Sequence, residues 1–171
     1  MAQYILNADS LCVESTINNN TTIYEYANGY LRKTYNKSKP NQRREFIYEF
    51  APDGVSKNLS KTTYYDENNI QGGETLYTYF INGQGMVDLH PIYHDLFESV
   101  SCRYLPIFGK FSAHLVRTTI IKNKNFDDFK YLREYTFYPD GRVKTEKVSN
   151  LDNGVFYFTN GKKYSSPMSA N

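Results

Sequence analysis

YTFYPDGRVK, residues Tyr135 to Lys144, places an aromatic pair two positions apart, a Pro-Asp-Gly corner and a basic, β-prone arm within ten residues. The phrase returns as YEFAPDGVSK from Tyr48, as YEYANGYLRK from Tyr24 and as FYFTNGKK from Phe156. A related aromatic strand from Tyr77 runs into Asn82-Gly83. Each copy reads as a β-hairpin. Proline presets φ at the first corner, aspartate accepts from the local backbone, and glycine takes the left-handed position. Asn28-Gly29, Asn82-Gly83 and Asn160-Gly161 supply the pair of positive-φ residues that a type I′ turn needs.

The rest of the chain agrees with a β reading. Its 171 residues include 17 Tyr and 11 Phe but no Trp. Aromatic and β-branched residues fit a pleated surface, and long Ala/Leu/Glu runs that would favour helices are missing. The expected fold is all-β and mostly antiparallel. It is a single up-and-down β-barrel or a strongly twisted meander of about 8–10 strands, since consecutive hairpins place neighbours side by side. One domain spans residues 1–164, with a flexible tail at 165–171. Pro91, followed by Ile92, Leu96, Phe97 and Val100, predicts one short helix near residues 91–101. Thr16–Thr22, Asn36–Arg44 and Asp66–Gly73 read as loops, and Lys110–Lys122 as one long strand. The phrase starts at residues 24, 48, 77, 135 and 156, so its gaps of 24, 29, 58 and 21 residues do not describe a fixed-period solenoid.

Charge and cysteine content exclude some classes. The net charge is +2 and the pI about 8.4, which falls short of a chain built for phosphate backbones, and argues against nucleic acid as a partner. Cys12 and Cys102 match no zinc or redox spacing and read as reduced, partly buried thiols. The opening MAQYILNADSLC has no basic n-region or long apolar run, and no segment approaches the ~20 apolar residues of a membrane-spanning helix. The expectation is a cytoplasmic protein.

Strand alternation puts Tyr24 and Tyr26 on one face, and likewise Tyr48 with Phe50, Tyr77 with Tyr79, and Tyr135 with Phe137. Turned inwards, these phenols either surround a ligand or pack on one another, and each buried hydroxyl needs a partner. Arg142 and Lys144, with Arg32, Lys33, Lys57, Lys162 and Lys163, follow the turns and form a basic rim or simply keep strand edges soluble. The candidate ligand-binding set is therefore Tyr24, Tyr26, Tyr48, Tyr77, Tyr79, Tyr135, Arg142 and Lys144. Glu25, Glu49 and Glu134 lie at matching places on the opposite parity, where cross-strand pairing with lysine is their expected role. His90 and His94 have helical metal spacing, but Pro91 between them opens the helix and leaves His90 at its cap, so no metal site is expected. His114 has Ser112 and Val116 as its neighbours by strand parity, so no nucleophile–base–orienter set can be named, and no phosphate-binding loop or nucleophile elbow is present. No catalytic set can be named.

The length, the hairpin meander and the single helical interruption resemble the calycin superfamily of lipocalin-like barrels. YLREYTFYPDGRVKTEKVSN (131–150) and VFYFTNGKKYSS (155–166) resemble the closing hairpins of calycin-type bilin lyases, although no tryptophan is present and residues 1–100 show no match. The aromatic–Asn-Gly phrases also resemble the hairpin repeats of MORN-type and related antitoxin proteins. The calycin resemblance implies a binding protein for an amphipathic small molecule, anionic or conjugated. Its most specific version is a bilin-type chromophore carrier or lyase with a bound tetrapyrrole. The alternative is a non-enzymatic protein-interaction module (an immunity, antitoxin or phage accessory protein) with a solid aromatic core.

Overall fold

The computed structural model describes residues 2–80, 106–139 and 143–161. These form eleven strands: β1 (Ala2–Leu6), β2 (Cys12–Ile17), β3 (Asn20–Ala27), β4 (Tyr30–Asn36), β5 (Lys39–Phe50), β6 (Lys57–Tyr65), β7 (Gln71–Tyr79), β8 (Val116–Asn123), β9 (Phe126–Phe137), β10 (Val143–Asn150) and β11 (Phe156–Gly161). They pair in chain order in one antiparallel sheet. The all-β meander is thus formed. The closed barrel is not, because among the described residues β1 pairs only with β2, and β11 only with β10. Strand number supplies a reason. The first and last strands of an eleven-strand meander run the same way, so closure would need a parallel seam in an otherwise antiparallel sheet.

Five local expectations are corrected. Asn160-Gly161 is not a turn but lies within β11, paired with Glu146 and Thr145. Thr16–Thr22 is not a loop: β2 and β3 meet at Asn18-Asn19, with φ of 49° and 65°. Two asparagines supply the left-handed pair that Asn-Gly supplies at residues 28–29, because a short amide side chain tolerates this region. Asn36–Arg44 holds only a tight turn, where Asn36 Oδ1 accepts from the Ser38 and Lys39 amides at 2.8 and 3.2 Å. β5 then starts at Lys39, and the ladder jumps from Asn36↔Lys39 to Tyr35↔Arg43. Pro40 falls in that interruption, where its missing N–H breaks no ladder bond.

Gln71–Gly73 belongs to β7 and not to the preceding connection. The ring of Tyr64 covers Gly72, where a Cβ would stand 3.1 Å from Tyr64 Cδ1, and a Cβ on Gly73 would stand 2.7 Å from Lys122 O on the neighbouring β8. Lys110–Lys122 is not one strand. β8 begins at Val116, and residues 109–115 form a strap across the sheet. A 3-10 turn, Pro106–Phe108, precedes the strap. The expected helix at 91–101, His90, His94, Cys102, Arg142, the Asn82-Gly83 turn and the tail at 165–171 lie outside the described residues.

The repeated phrase now has a topological meaning. Its copies start on β3, β5, β7, β9 and at the head of β11, so every copy lies on a strand of the same direction. The aromatic pairs on β3, β5, β7 and β9 consequently gather at one end of the sheet. There Tyr24, Leu31, Phe46, Leu59, Tyr77, Val116, Cys12 and the fully buried Phe108 form the core, with Tyr26, Tyr48 and Tyr79 against it. Phe108 lies 5.3 Å from the Tyr24 ring and 6.0 Å edge-on from that of Tyr4. Burying one such side chain is worth about 2–3 kcal/mol.

The strap is stitched down along its length. The Lys110 amide donates to Gly29 O at 2.8 Å, the Leu59 amide to Ser112 Oγ at 3.0 Å, and the Phe80 amide to Leu115 O at 3.0 Å. Gly109, at φ +94°, makes the crossing possible, since a Cβ there would stand 2.7 Å from Gly29 O.

The opposite face is a charge ladder. Register aligns Glu25, Lys33, Glu45, Thr63, Glu74 and Lys122 across six strands. Lys33 meets Glu25 at 3.6 Å, Lys122 meets Glu74 at 3.2 Å, and farther along Lys147 meets Glu134 at 3.0 Å. Glu25 and Glu134 therefore pair with lysines across the strands. Exposed pairs of this kind contribute ~0.2–1 kcal/mol each, and the ladder mainly keeps this face wet.

Candidate functional site

The inner face divides into two halves along the strands. At the end reached by the repeated phrase, the phenols are consumed by packing and by specific partners. Tyr24 Oη meets Ser15 Oγ at 2.8 Å, and Tyr26 Oη donates to Cys12 O at 2.8 Å. Tyr79 Oη donates to Leu59 O at 2.6 Å, and Tyr135 Oη to Val116 O at 2.9 Å. Tyr48 has a buried hydroxyl with no hydrogen-bond partner among the described residues. Burial, reinforced by the phenols of Tyr79, Tyr30, Tyr77 and Tyr26, pushes its pKa far above that of free tyrosine. Burial also pushes Tyr77 up to about 12, against the opposing charges of Arg133 and Arg44.

Of the sequence-derived set, the structure gathers Tyr24, Tyr26, Tyr48, Tyr77 and Tyr79 around this one core, with Tyr135 farther along the sheet. Lys144 is exposed on β10, between Val143↔Phe137 and Thr145↔Thr136, and is not part of that group. Farther across the inner face, Arg133 Nε meets Glu146 Oε1 at 3.0 Å, with only 11 and 5 % of the two side chains exposed. Arg133 Nη1 also donates to Thr119 Oγ1. This enclosed pair joins β8, β9 and β10.

The other half of the inner face is open and polar. Register carries one row from Tyr24 through Thr34, Arg44 and Tyr64 to Gly73. A second row runs from Ser15 through Thr22 to Asn36. Around them lies a groove of about 600 Å³, lined by Asn20, Thr22, Thr34, Gln42, Arg44 and Tyr64 among others. Arg44 is half-buried in its wall. The Tyr64 ring is 37 % exposed, and Gln42 Nε2 donates to its hydroxyl at 3.4 Å.

Arg43 faces the other way. Its guanidinium lies 3.8 Å over the Tyr65 ring and pairs with Glu45 at 2.7 Å. The groove, whose lining also includes Arg43, thus combines the Arg44 guanidinium, carboxamides, hydroxyls and an aromatic platform. Such a set can hold an anionic group by a bidentate fork and a ring by stacking.

Sequence reading misses Arg44 and Gln42 because Asn36–Arg44 reads as a polar, proline-containing loop. The signal was present: counting back from Tyr48 and Phe46 in steps of two reaches Arg44 and Gln42 on the same face.

Among the described residues, no helix is long and apolar enough to cross a membrane, and no group of three or more His, Cys, Asp and Glu could hold a metal ion. No family model matches the chain, and no curated protein matches it. Among solved structures it is similar to a porin-like protein from Bacteroides uniformis, at 13% identity and a TM-score of 0.40, over 92% of this chain and 87% of that one. A likeness at that level transfers neither fold nor function.

Proposed function

We propose that this chain is a binding protein whose ligand, an anionic and hydroxyl-rich small molecule such as an acidic sugar, lies in the inner-face groove around Arg44 and Tyr64. The observation that carries the reading is the row Thr34–Arg44–Tyr64. It sets a half-buried guanidinium between a hydroxyl and an accessible ring, with Gln42 alongside. Arg44 would meet the carboxylate or phosphate, Tyr64 would stack on the ring of the ligand, and Thr22, Thr34 and Asn20 would take its hydroxyls. The tetrapyrrole form of the sequence reading puts a long conjugated system among the inner tyrosines. Strap and core side chains already occupy that half, so we place the ligand on the other.

The test is equilibrium binding of three probes: a hexuronate oligomer, inorganic phosphate and a neutral oligosaccharide of equal length. The reading expects the hexuronate to bind more tightly than either other probe, and Arg44→Gln to weaken it about tenfold or more, the loss of a charged hydrogen bond. Equal affinity for the neutral sugar, or no binding of any probe, would overturn it. A protein-interaction module with a solid aromatic core remains the second reading, favoured by a separate observation: the aromatic residues exposed on β9–β11.

A further inference from the structure

We infer that β11 is a self-association edge, and that its occupant is β11 of a second copy of this chain, paired antiparallel about a two-fold axis. Among the described residues β11 is bonded on one side only, through Thr145↔Gly161 to Ser149↔Phe156. Its described sequence FYFTNG contains neither proline nor charge. Those are the usual devices that keep a sheet edge from pairing. Both of its faces are apolar and open: Phe156, Tyr157 and Phe158 are 54, 44 and 47 % exposed, with Val155 and Leu151 beside them.

Geometry selects the occupant. β1 and β11 run in the same direction, so with the inner faces of both copies on the same side, pairing the β11 of one copy with the β1 of another gives a parallel seam and an open-ended stack. Two β11 strands related by a two-fold meet antiparallel, continue the existing hydrogen-bond pattern and close on themselves. β1 is the weaker edge for the same purpose. It has five residues, its Tyr4 ring is already packed on Phe108, and only Ile5 and Leu6 are largely exposed apolar residues.

Area sets the strength. At ~150–250 Å² per aromatic side chain, three half-exposed rings contribute about 300 Å² per copy. Leu151 and Val155 raise this, but it stays below the ~800 Å² per partner of a stable interface. The dimer should therefore form only at high concentration, with affinity in the micromolar range or weaker.

Sedimentation velocity of the full chain from about 5 to 500 μM tests this. The expected result is a shift from monomer to dimer and no further. Phe156→Lys/Phe158→Lys, which puts like charges across the two-fold, should remain monomeric throughout, whereas Ile5→Lys on β1 should dimerise as the parent does. Amide exchange of the unmodified chain at both concentrations gives a readout independent of any variant's folding: β11 amides should slow at high concentration and β1 amides should not. A monomer at 500 μM, open-ended oligomers, or slowing confined to β1 would overturn the inference.

Discussion

The Tyr24 phenol and the Ser15 hydroxyl meet at 2.8 Å between β3 and β2, with 3 and 2 % of the two residues exposed. Ser15 has no access to water, and the Tyr24 phenol keeps its hydroxyl from being an unpaired polar atom. Tyr24→Phe keeps the ring and strands the serine. It should cost about 1–2 kcal/mol in urea unfolding, with the m-value unchanged.

Tyr48→Phe should behave in the opposite way. Its hydroxyl is buried with no partner among the described residues, so deleting it removes a desolvated group and no bond. The expected change is neutral to about 1 kcal/mol stabilising in the same assay. Comparing the two Tyr→Phe changes separates hydrogen bonding from ring packing in this core.

Gly109→Ala tests the strap. A Cβ there would stand 2.7 Å from Gly29 O and 3.1 Å from the Tyr26 ring, at a φ of +94° that alanine resists. The change should cost roughly 2 kcal/mol or more and expose the Phe108 contact, seen as faster amide exchange at Lys110 and Leu59. Gly54→Ala, also at positive φ but with open space around it, should cost less.

The Arg133–Glu146 pair should be costly to break and cheap to replace. Glu146→Gln leaves a nearly enclosed guanidinium without its counter-charge and should destabilise by about 3 kcal/mol. Arg133→Met/Glu146→Leu removes both charges and should recover most of that loss. Thermal unfolding of the three proteins decides it.

Alkaline pH should weaken the fold through Tyr77. Its pKa rises from 10 in the unfolded chain to about 12 in the folded one, because burial penalises the phenolate. The unfolded state then loses its proton first. The contribution to stability is full below pH 10 and is lost as pH rises through 12. Absorbance at the phenolate band should show Tyr48 and Tyr77 ionising last, at or beyond unfolding.

The antiparallel meander was legible because Pro-Asp-Gly and Asn-Gly corners follow aromatic pairs at Tyr24, Tyr48 and Tyr135. What escaped was governed by context. Asn18-Asn19 makes the same turn with different side chains. Pro40 is tolerated in β5 because the ladder skips it, Gly72 sits under the Tyr64 ring, and Gly73 lies tight against the Lys122 backbone. The inward parity of the tyrosines was readable, but their separation from the polar groove was not. That division depends on where residues 109–115 cross the sheet, a long-range contact with no local signature.

Under the proposed reading, the packed aromatic end of the inner face is structural and the open polar end would hold an anion. The most direct measurement is calorimetric titration of the hexuronate oligomer into the parent protein, Arg44→Gln, Tyr64→Ala and Tyr135→Phe. The account predicts one site, weakened about tenfold or more by the first two changes and untouched by the third. Binding that survives at Arg44→Gln and Tyr64→Ala but falls at Tyr135→Phe would contradict it.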